Sequence, residues 1–413
     1  MKWFTSPLLS IPATLFLILL VLSTTTRSEA IHPKAVLGPL QKVTIGPDQQ
    51  QSSSVTLAKT LTPSVALSFC PKNTEINDHL CLIWLNQNQQ IEMAYSESPV
   101  RKPEALTSEF TTIAPAFKEH DKIPETLLGV TATPYKDGFI LAYLTRKDKT
   151  GSLPDISHSA PQRVEDLKKS VADSHLYLAL ATLRQSGKLY EWSISRSSEV
   201  DADTSGGIIA GTPSVSVIGD RVNLSYSIFS LDNGQPVSKI VEISDAAQIG
   251  THQHISGLSV STAIHTAPTP QLLNIPENSF NYAAYADISS QKMKIALQTK
   301  PQMQFNNTLI PEPTIQASWL YHFNQINMGE AYLITLLMTD SQGENLLFSL
   351  YPDIFDGHEG WSSVKQLPTS SFAISASQAV FPGEEPAIIM PGLNLKDLTL
   401  SLQAFSIKEV ESP

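Results

Sequence analysis

Pro63–Phe69 (PSVALSF), Leu80–Leu85 (LCLIWL) and Ile91–Glu97 (IEMAYSE) are the stretches whose reading decides the fold. Each is a short run rich in Val, Ile, Leu and Tyr. Pro, Asn, Asp and Gln gather between them, which is the pattern of strands joined by turns. The middle run is the more apolar of the three. The same order restarts along the chain: near Leu128 (LGVTATP, FILAYLT, LYLALATL, LYEWSIS), Pro213 (PSVSVIG, VNLSYSIF, SKIVEIS) and Pro270 (PQLLNIP, NYAAYAD, KMKIALQT). It restarts again near Pro313 (PTIQASW, AYLITLLM, NLLFSLY) and Phe372 (FAISASQ, PAIIMPG, LTLSLQAF), giving six units. Helical periodicity is confined to Pro161–Ala172, where Val164, Leu167 and Val171 fall on one face and Pro opens the segment.

Units of about 40 to 60 residues, each supplying three or four antiparallel strands, are the signature of a β-propeller, whose blades cannot bury their faces alone. Uneven spacing fits insertions into loops. The last unit has too little chain for an outer strand, and Leu40–Ile45 is placed to supply it. Such closure removes free edges. The expectation is therefore an all-β fold, a six-bladed β-propeller closed by an N-terminal strand. A pair of β-sandwich domains is the alternative.

The N-terminus carries Lys2, then an apolar run from Ile11 to Leu22, then Ser28-Glu29-Ala30. A basic start, a hydrophobic run and small residues describe a secretory signal peptide, residues 1–30, cleaved after Ala30. The run is shorter than the roughly 20 apolar residues of a spanning helix, and Pro12 interrupts it. Residues 31–57 form a polar segment with the possible closing strand, and residues 58–413 form the propeller domain. The expected location is the secretory pathway or the exterior, with no membrane span.

The chain is 16% charged and 41% hydrophobic, with a net charge of -11, so no basic field exists to gather nucleic acid or anionic lipid. Cys70 and Cys81 are the two cysteines. On two strands joined by a turn-rich loop, in an oxidising compartment, they are expected to form a disulfide. Asn223-Leu224-Ser225 and Asn306-Asn307-Thr308 are glycosylation sequons. Glycans at both would mark those segments as surface.

Few residues point to chemistry. His252 and His254 share a face if they lie on a strand, with His265 near in sequence, but a metal site needs further ligands. They read as exposed histidines, and no metal or other cofactor is expected. Ser230-Leu231-Asp232-Asn233-Gly234 has the outline of an Asp-box turn, but Val237 stands where an aromatic residue belongs, so it reads as a hairpin turn. Asp137, Asp220, Asp287 and Glu384 sit at or beside turns, and glycosidase chemistry requires a carboxylate spacing that sequence does not display. The chain has no G-x-S-x-G elbow and no glycine-rich phosphate loop.

The segment Asp356-Gly357-His358-Glu359-Gly360-Trp361-Ser362 resembles the blade-closing turn of six-bladed fucose-binding fungal lectins, and the strand pattern of the six units is similar to theirs. Those lectins repeat an Arg, a Glu and an aromatic residue from blade to blade. Here Trp84, Trp192, Trp319 and Trp361 occupy different places in their units. A degenerate propeller with a signal peptide and sequons also resembles the secreted hetero-Diels-Alderases of fungal tropolone-sesquiterpenoid biosynthesis. That resemblance implies a pericyclase of secondary metabolism, which holds a quinone-methide-type heterodiene and a terpene alkene in a near-attack pose in one apolar pocket. A secreted carbohydrate-binding propeller is the alternative. The expected partner is accordingly a hydrophobic terpenoid or polyketide molecule, or a glycan.

Under the pericyclase reading the pocket lies near the propeller axis or at one mouth. Trp319 ends the inner strand of the fifth unit and His322 follows it, while Tyr226 and Tyr285 sit in second strands. His322, Tyr226 and Tyr285 are the expected catalytic donors, and Trp319 and Trp84 the expected stacking walls. Core packing is the competing role for each.

Overall fold

The computed structural model describes residues 34–45, 65–86, 88–113, 116–117, 126–146, 174–187, 189–195, 197–200, 207–230, 236–255 and 259–264, and the strands between residues 271 and 410. The signal segment, the Pro161–Ala172 window, Asp356–Trp361, Glu384 and His265 lie outside them.

The described residues form six sheets. Strand β1 (Lys34–Ile45) belongs to the last of these. The first sheet runs β2 (Val65–Phe69), β3 (Leu80–Leu85), β4 (Ile91–Ser96) and β5 (Phe110–Ile113). The second contains β6 (Ala116–Phe117), β7 (Thr126–Tyr135), β8 (Gly138–Arg146), β9 (Ser174–Ser186), β10 (Leu189–Ile194) and β11 (Ser198–Val200). In the third are β12 (Gly207–Ile218), β13 (Arg221–Ser230), β14 (Pro236–Ile243) and β16 (Ser259–Ile264). Between β14 and β16 the chain leaves as β15 (His254–Ile255) to pair with β11 of the second sheet.

The fourth sheet is β17 (Gln271–Ile275), β18 (Phe280–Asp287), β19 (Lys292–Gln298) and β20 (Asn306–Asn307). The fifth is β21 (Ala317–Asn327), β22 (Tyr332–Asp340), β23 (Asn345–Leu350) and β24 (Ser362–Gln366). The sixth joins β25 (Phe372–Ala373), β26 (Ala379–Val380), β27 (Ala387–Leu393) and β28 (Leu400–Val410), and takes β1 beside β28. The strand expected to begin at Leu40 thus begins at Lys34, and the N-terminal strand is a hydrogen-bonded neighbour of the C-terminal one.

The apolar middle runs follow from burial on both faces. Side chains alternate along a strand, so a strand between two sheets must be apolar at every position. In β3, Leu80, Leu82 and Trp84 pack with Val65, Leu67 and Phe110 against Ile389, Leu400, Leu402 and Ala404 of the sixth sheet. The alternate residues Cys81, Ile83 and Leu85 join Phe139, Leu141, Tyr143 and Trp192 of the second sheet. In β8 the other set, Ile140, Ala142 and Leu144, packs against Val222, Leu224 and Tyr226 of the third. Sheets six, one, two and three are thus joined face to face by three apolar cores. Each fully buried Leu or Ile contributes roughly 1.5–3 kcal/mol to them.

First strands of successive sheets are also neighbours: β2 lies beside β7, β7 beside β12, β12 beside β17, β17 beside β21, and β26 beside β2. Two-residue hairpins join first to second strands in sheets two and three, with Tyr135 opposite Gly138 and Ile218 opposite Arg221. Positive φ at Lys136 (52°) and Gly219 (57°) suits the primed turns that match strand twist. Asp137 and Asp220 are the second residues of these turns, which agrees with their reading as turn carboxylates.

The Cys70–Cys81 disulfide is present, with Cα atoms 5.1 Å apart, at the mouth of the β2–β3 hairpin where Ser68 faces Cys81. Among the described residues, no helix is long and apolar enough to cross a membrane.

One expectation fails on burial. Asn223 lies on β13, a central strand of the third sheet, with Ser216 of β12 on one side and Glu242 of β14 on the other, and is 3% exposed. A surface glycan has no room there.

Candidate functional site

Three first strands carry register shifts, beside two shifts in the outer pairings of β14 with β16 and β23 with β24. β7 shifts register between Leu127 and Gly129, β12 between Ala210 and Ser214, and β21 twice, between Ala317 and Trp319 and between Leu320 and His322. The shifts in β7 and β21 lie towards the N-terminal ends of their strands, and that in β12 lies at its middle. A bulge spends ladder hydrogen bonds to re-aim the chain, and bulges concentrate at rims and beside active sites.

The second shift in β21 has a specific effect. Trp319 and His322 are three residues apart, and in a regular strand they would fall on opposite faces. Trp319 pairs with Thr339 and His322 with Leu337, two residues apart on β22, so both share one face. Tyr321 is the extra residue that changes the parity. It is the position that strand-pattern reading missed, because the bulge exists only in the pairing with β22. Tyr285 lies opposite Lys294, in the second strand of the fourth sheet as expected. The side chains of Trp319, His322 and Tyr285 lie outside the described residues.

Two candidates are corrected. Trp84 is 0% exposed within the core between sheets six and one, and Tyr226 is 1% exposed within the core between sheets two and three. Both sit in second strands; β3 is covered on each face by another sheet, and the face of β13 that carries Tyr226 packs on the second sheet. Trp192, by contrast with Trp84, reaches its core from the outer strand β10.

Polar chemistry gathers at the outer edge of the second sheet. Glu199 of β11 receives the Nδ1 of His175 at 2.5 Å and that of His254 at 3.3 Å. The Nε2 of His175 is buried without a hydrogen-bond partner. Beside them Tyr143 and Tyr177 stack with centroids 5.5 Å apart, and the Tyr143 hydroxyl donates to Ser197. The 245–255 segment is tied here as well. The buried Ser198 hydroxyl donates to the His252 carbonyl and accepts from the Gly250 N–H, and the Glu199 N–H donates to the Gln253 carbonyl. His254 therefore anchors a strap between sheets. The His252–His254 spacing is visible in sequence, but Glu199 and His175 are brought to it only by strand pairing. Among the described residues, no group of three or more His, Cys, Asp or Glu is arranged to hold a metal ion.

A second cluster joins the hairpins of sheets two and three. Tyr135 donates to Asp220 at 2.5 Å, Lys136 lies 3.0 Å from the same carboxylate, and its ammonium stands 4.7 Å from the Tyr135 ring centroid. Burial first, then the Asp220 bond, pushes the Tyr135 phenol up. The Tyr135 and Lys136 bonds hold Asp220 below the usual carboxylate range. This is a charged tie at the surface, and with one carboxylate it lacks the paired acids of glycoside hydrolysis.

No protein-family description matches the chain, and no curated protein sequence matches it. Solved structures do. The sialidase of Trypanosoma rangeli, as its covalent intermediate with 2,3-difluorosialic acid, superposes with a TM-score of 0.53 at 8% identity, over 90% of this chain and 59% of its own. The same sialidase with the inhibitor DANA gives 0.53 at 9% identity, over 90% and 60%. AofleA of Arthrobotrys oligospora, in a form with three arginines replaced by alanine, gives 0.50 at 10% identity, over 90% of both chains. This chain spans about three-fifths of the sialidase length. The likeness concerns the fold, and the fold is that of β-propellers.

Proposed function

We propose that this chain is a secreted pericyclase built on a six-bladed β-propeller, each described sheet forming one blade and β1 closing the ring. It joins a quinone-methide-type heterodiene to a terpene alkene by a hetero-Diels-Alder cycloaddition. The observation that carries the reading is the parity change in β21, which sets Trp319 and His322 on one face of a first strand towards its N-terminal end, where β7 also bulges. Such an arrangement suits one shaped site rather than a site repeated in every blade. Trp84 and Trp192 support the same conclusion, because both are consumed by cores and reach them from inequivalent strands.

The chemistry asks little of the protein. A new C–C bond and a new C–O bond form together, the heterodiene's π electrons move into the ring, and no group leaves. Catalysis then consists of holding the partners in contact and stabilising charge that builds on the heterodiene oxygen. In this reading Trp319 is the wall against which the planar heterodiene stacks, His322 donates to its oxygen, and Tyr285 is a second donor. The test is the purified protein with a quinone methide generated in situ and a cyclic terpene alkene. Wild type should raise the yield and fix one stereoisomer, and His322→Ala should lower the rate by about a hundredfold, as loss of one preorganised donor does. Product yield and stereochemistry equal to the uncatalysed reaction would refute it.

A carbohydrate-binding propeller is the second reading, favoured by the neighbours: the sialidase is described with sialic acid and sialic acid analogues. It expects retention on a glycan array, and no binding across a broad array removes it.

A further inference from the structure

The two sequons occupy opposite kinds of position in their sheets. Asn223 is on a central strand, and its immediate partners Ser216 and Glu242 are 9% and 8% exposed. Ser225, the third residue of its sequon, is 0% exposed. Asn306 opens β20, a two-residue strand at the end of the fourth sheet that pairs through Leu297 and Ala296 of β19. β19 has seven residues, so among the described residues most of its outer side has no strand partner. The outer strands of the first, third and fifth sheets are longer, with four residues in β5, six in β16 and five in β24. An uncovered sheet edge is a template for pairing with another chain.

We infer that the folded protein carries an N-glycan at Asn306 and none at Asn223, and that the Asn306 glycan covers the outer edge of the fourth sheet. This rests on passage through the secretory pathway and not on the pericyclase reading. The modification is transfer of an oligosaccharide from a lipid-linked pyrophosphate donor. The sugar C1–O bond to pyrophosphate breaks, a C1–Nδ2 bond to asparagine forms, and Nδ2 gives up a proton. It occurs on the nascent chain. A molecule so modified at Asn223 cannot pack β13, because the Asn223 side chain, 3% exposed, would carry a saccharide into a buried position. Such molecules do not reach the native state. Asn306 lies on the last strand of its sheet, where a bulky hydrophilic group blocks strand addition.

The experiment expresses the full mature chain behind an established secretory leader in a eukaryotic host, so that glycosylation is reached whatever the native N-terminus does. Secretion with the native N-terminus is scored separately and judges the signal peptide alone. Glycopeptide mass spectrometry before and after amidase deglycosylation should place all glycan on Asn306. Asn223→Gln should leave the glycan mass unchanged. Asn306→Gln and Thr308→Ala, which remove the sequon by different residues, should both yield glycan-free protein that self-associates on size exclusion with light scattering. A glycan on Asn223 of folded monomer, or a bare Asn306, overturns the assignment. Glycan-free variants as monomeric as wild type overturn the shielding role.

Discussion

Replacing Trp84 separates a core residue from a ligand contact. The indole is 0% exposed and packs on Val65, Leu67, Leu80 and Leu82 of its own sheet and on Ile389, Leu400, Leu402 and Ala404 of the sixth. A buried Trp removes about 150–250 Å² from water, which at about 25 cal/mol per Å² is ~4–6 kcal/mol as an upper limit. Cavity relaxation brings Trp84→Ala to about 3–5 kcal/mol. Trp84→Phe is more informative. The indole Nε1 is buried with no hydrogen-bond partner, so its removal relieves a desolvation penalty of about 1–3 kcal/mol that offsets part of the lost volume. Trp84→Phe should therefore cost under ~1.5 kcal/mol. Guanidinium unfolding followed by far-UV circular dichroism reads both values. Hydrogen exchange should show β3 and β28 loosening first, since Trp84 sits in the core that joins the first sheet to the sixth. A Trp84→Ala midpoint equal to wild type would refute the core assignment. So would a Trp84→Phe variant as damaged as Trp84→Ala.

Other outcomes follow from the same geometry. Gly138→Ala should destabilise strongly, because a Cβ at Gly138 would lie 1.8 Å from the backbone oxygen of Ala181 on the paired strand; the unfolding midpoint checks it. Glu199→Gln should weaken the strap, because the carboxylate offers one oxygen to His175 and the other to His254 and the amide keeps only one acceptor. Amide exchange at residues 250–255 should then quicken while that of β3 stays unchanged. Asp220→Asn should lower the ionisation pH of Tyr135, because the Asp220 bond and charge help raise it and burial supplies the remainder. Ultraviolet difference titration of tyrosinate, against Tyr135→Phe as the blank, measures the shift.

Much of the fold is legible locally. LCLIWL and FILAYL are apolar at successive positions because β3 and β8 are buried on both faces, and that requirement acts residue by residue along the chain. Restarting triplets of such runs give the sheets their order, and the missing outer strand of the last unit points to β1. Cys70 and Cys81 flank a single hairpin, so their pairing needed no long-range information.

What tertiary structure decided is which face each residue takes and what covers it. Tyr226 and Trp84 carry the right chemistry for a pocket, yet stacking of sheet on sheet assigns them to cores. Asn223 has a complete sequon, and only its place on a central strand makes it inaccessible. Trp319 and His322 share a face because the pairing of β21 with β22 skips Tyr321, a property of two strands at once. Glu199 meets His254 because β15 leaves its own sheet to pair with β11. Composition and periodicity report the environment a residue must have; strand register, bulges and the stacking of separate sheets fix which neighbours provide it.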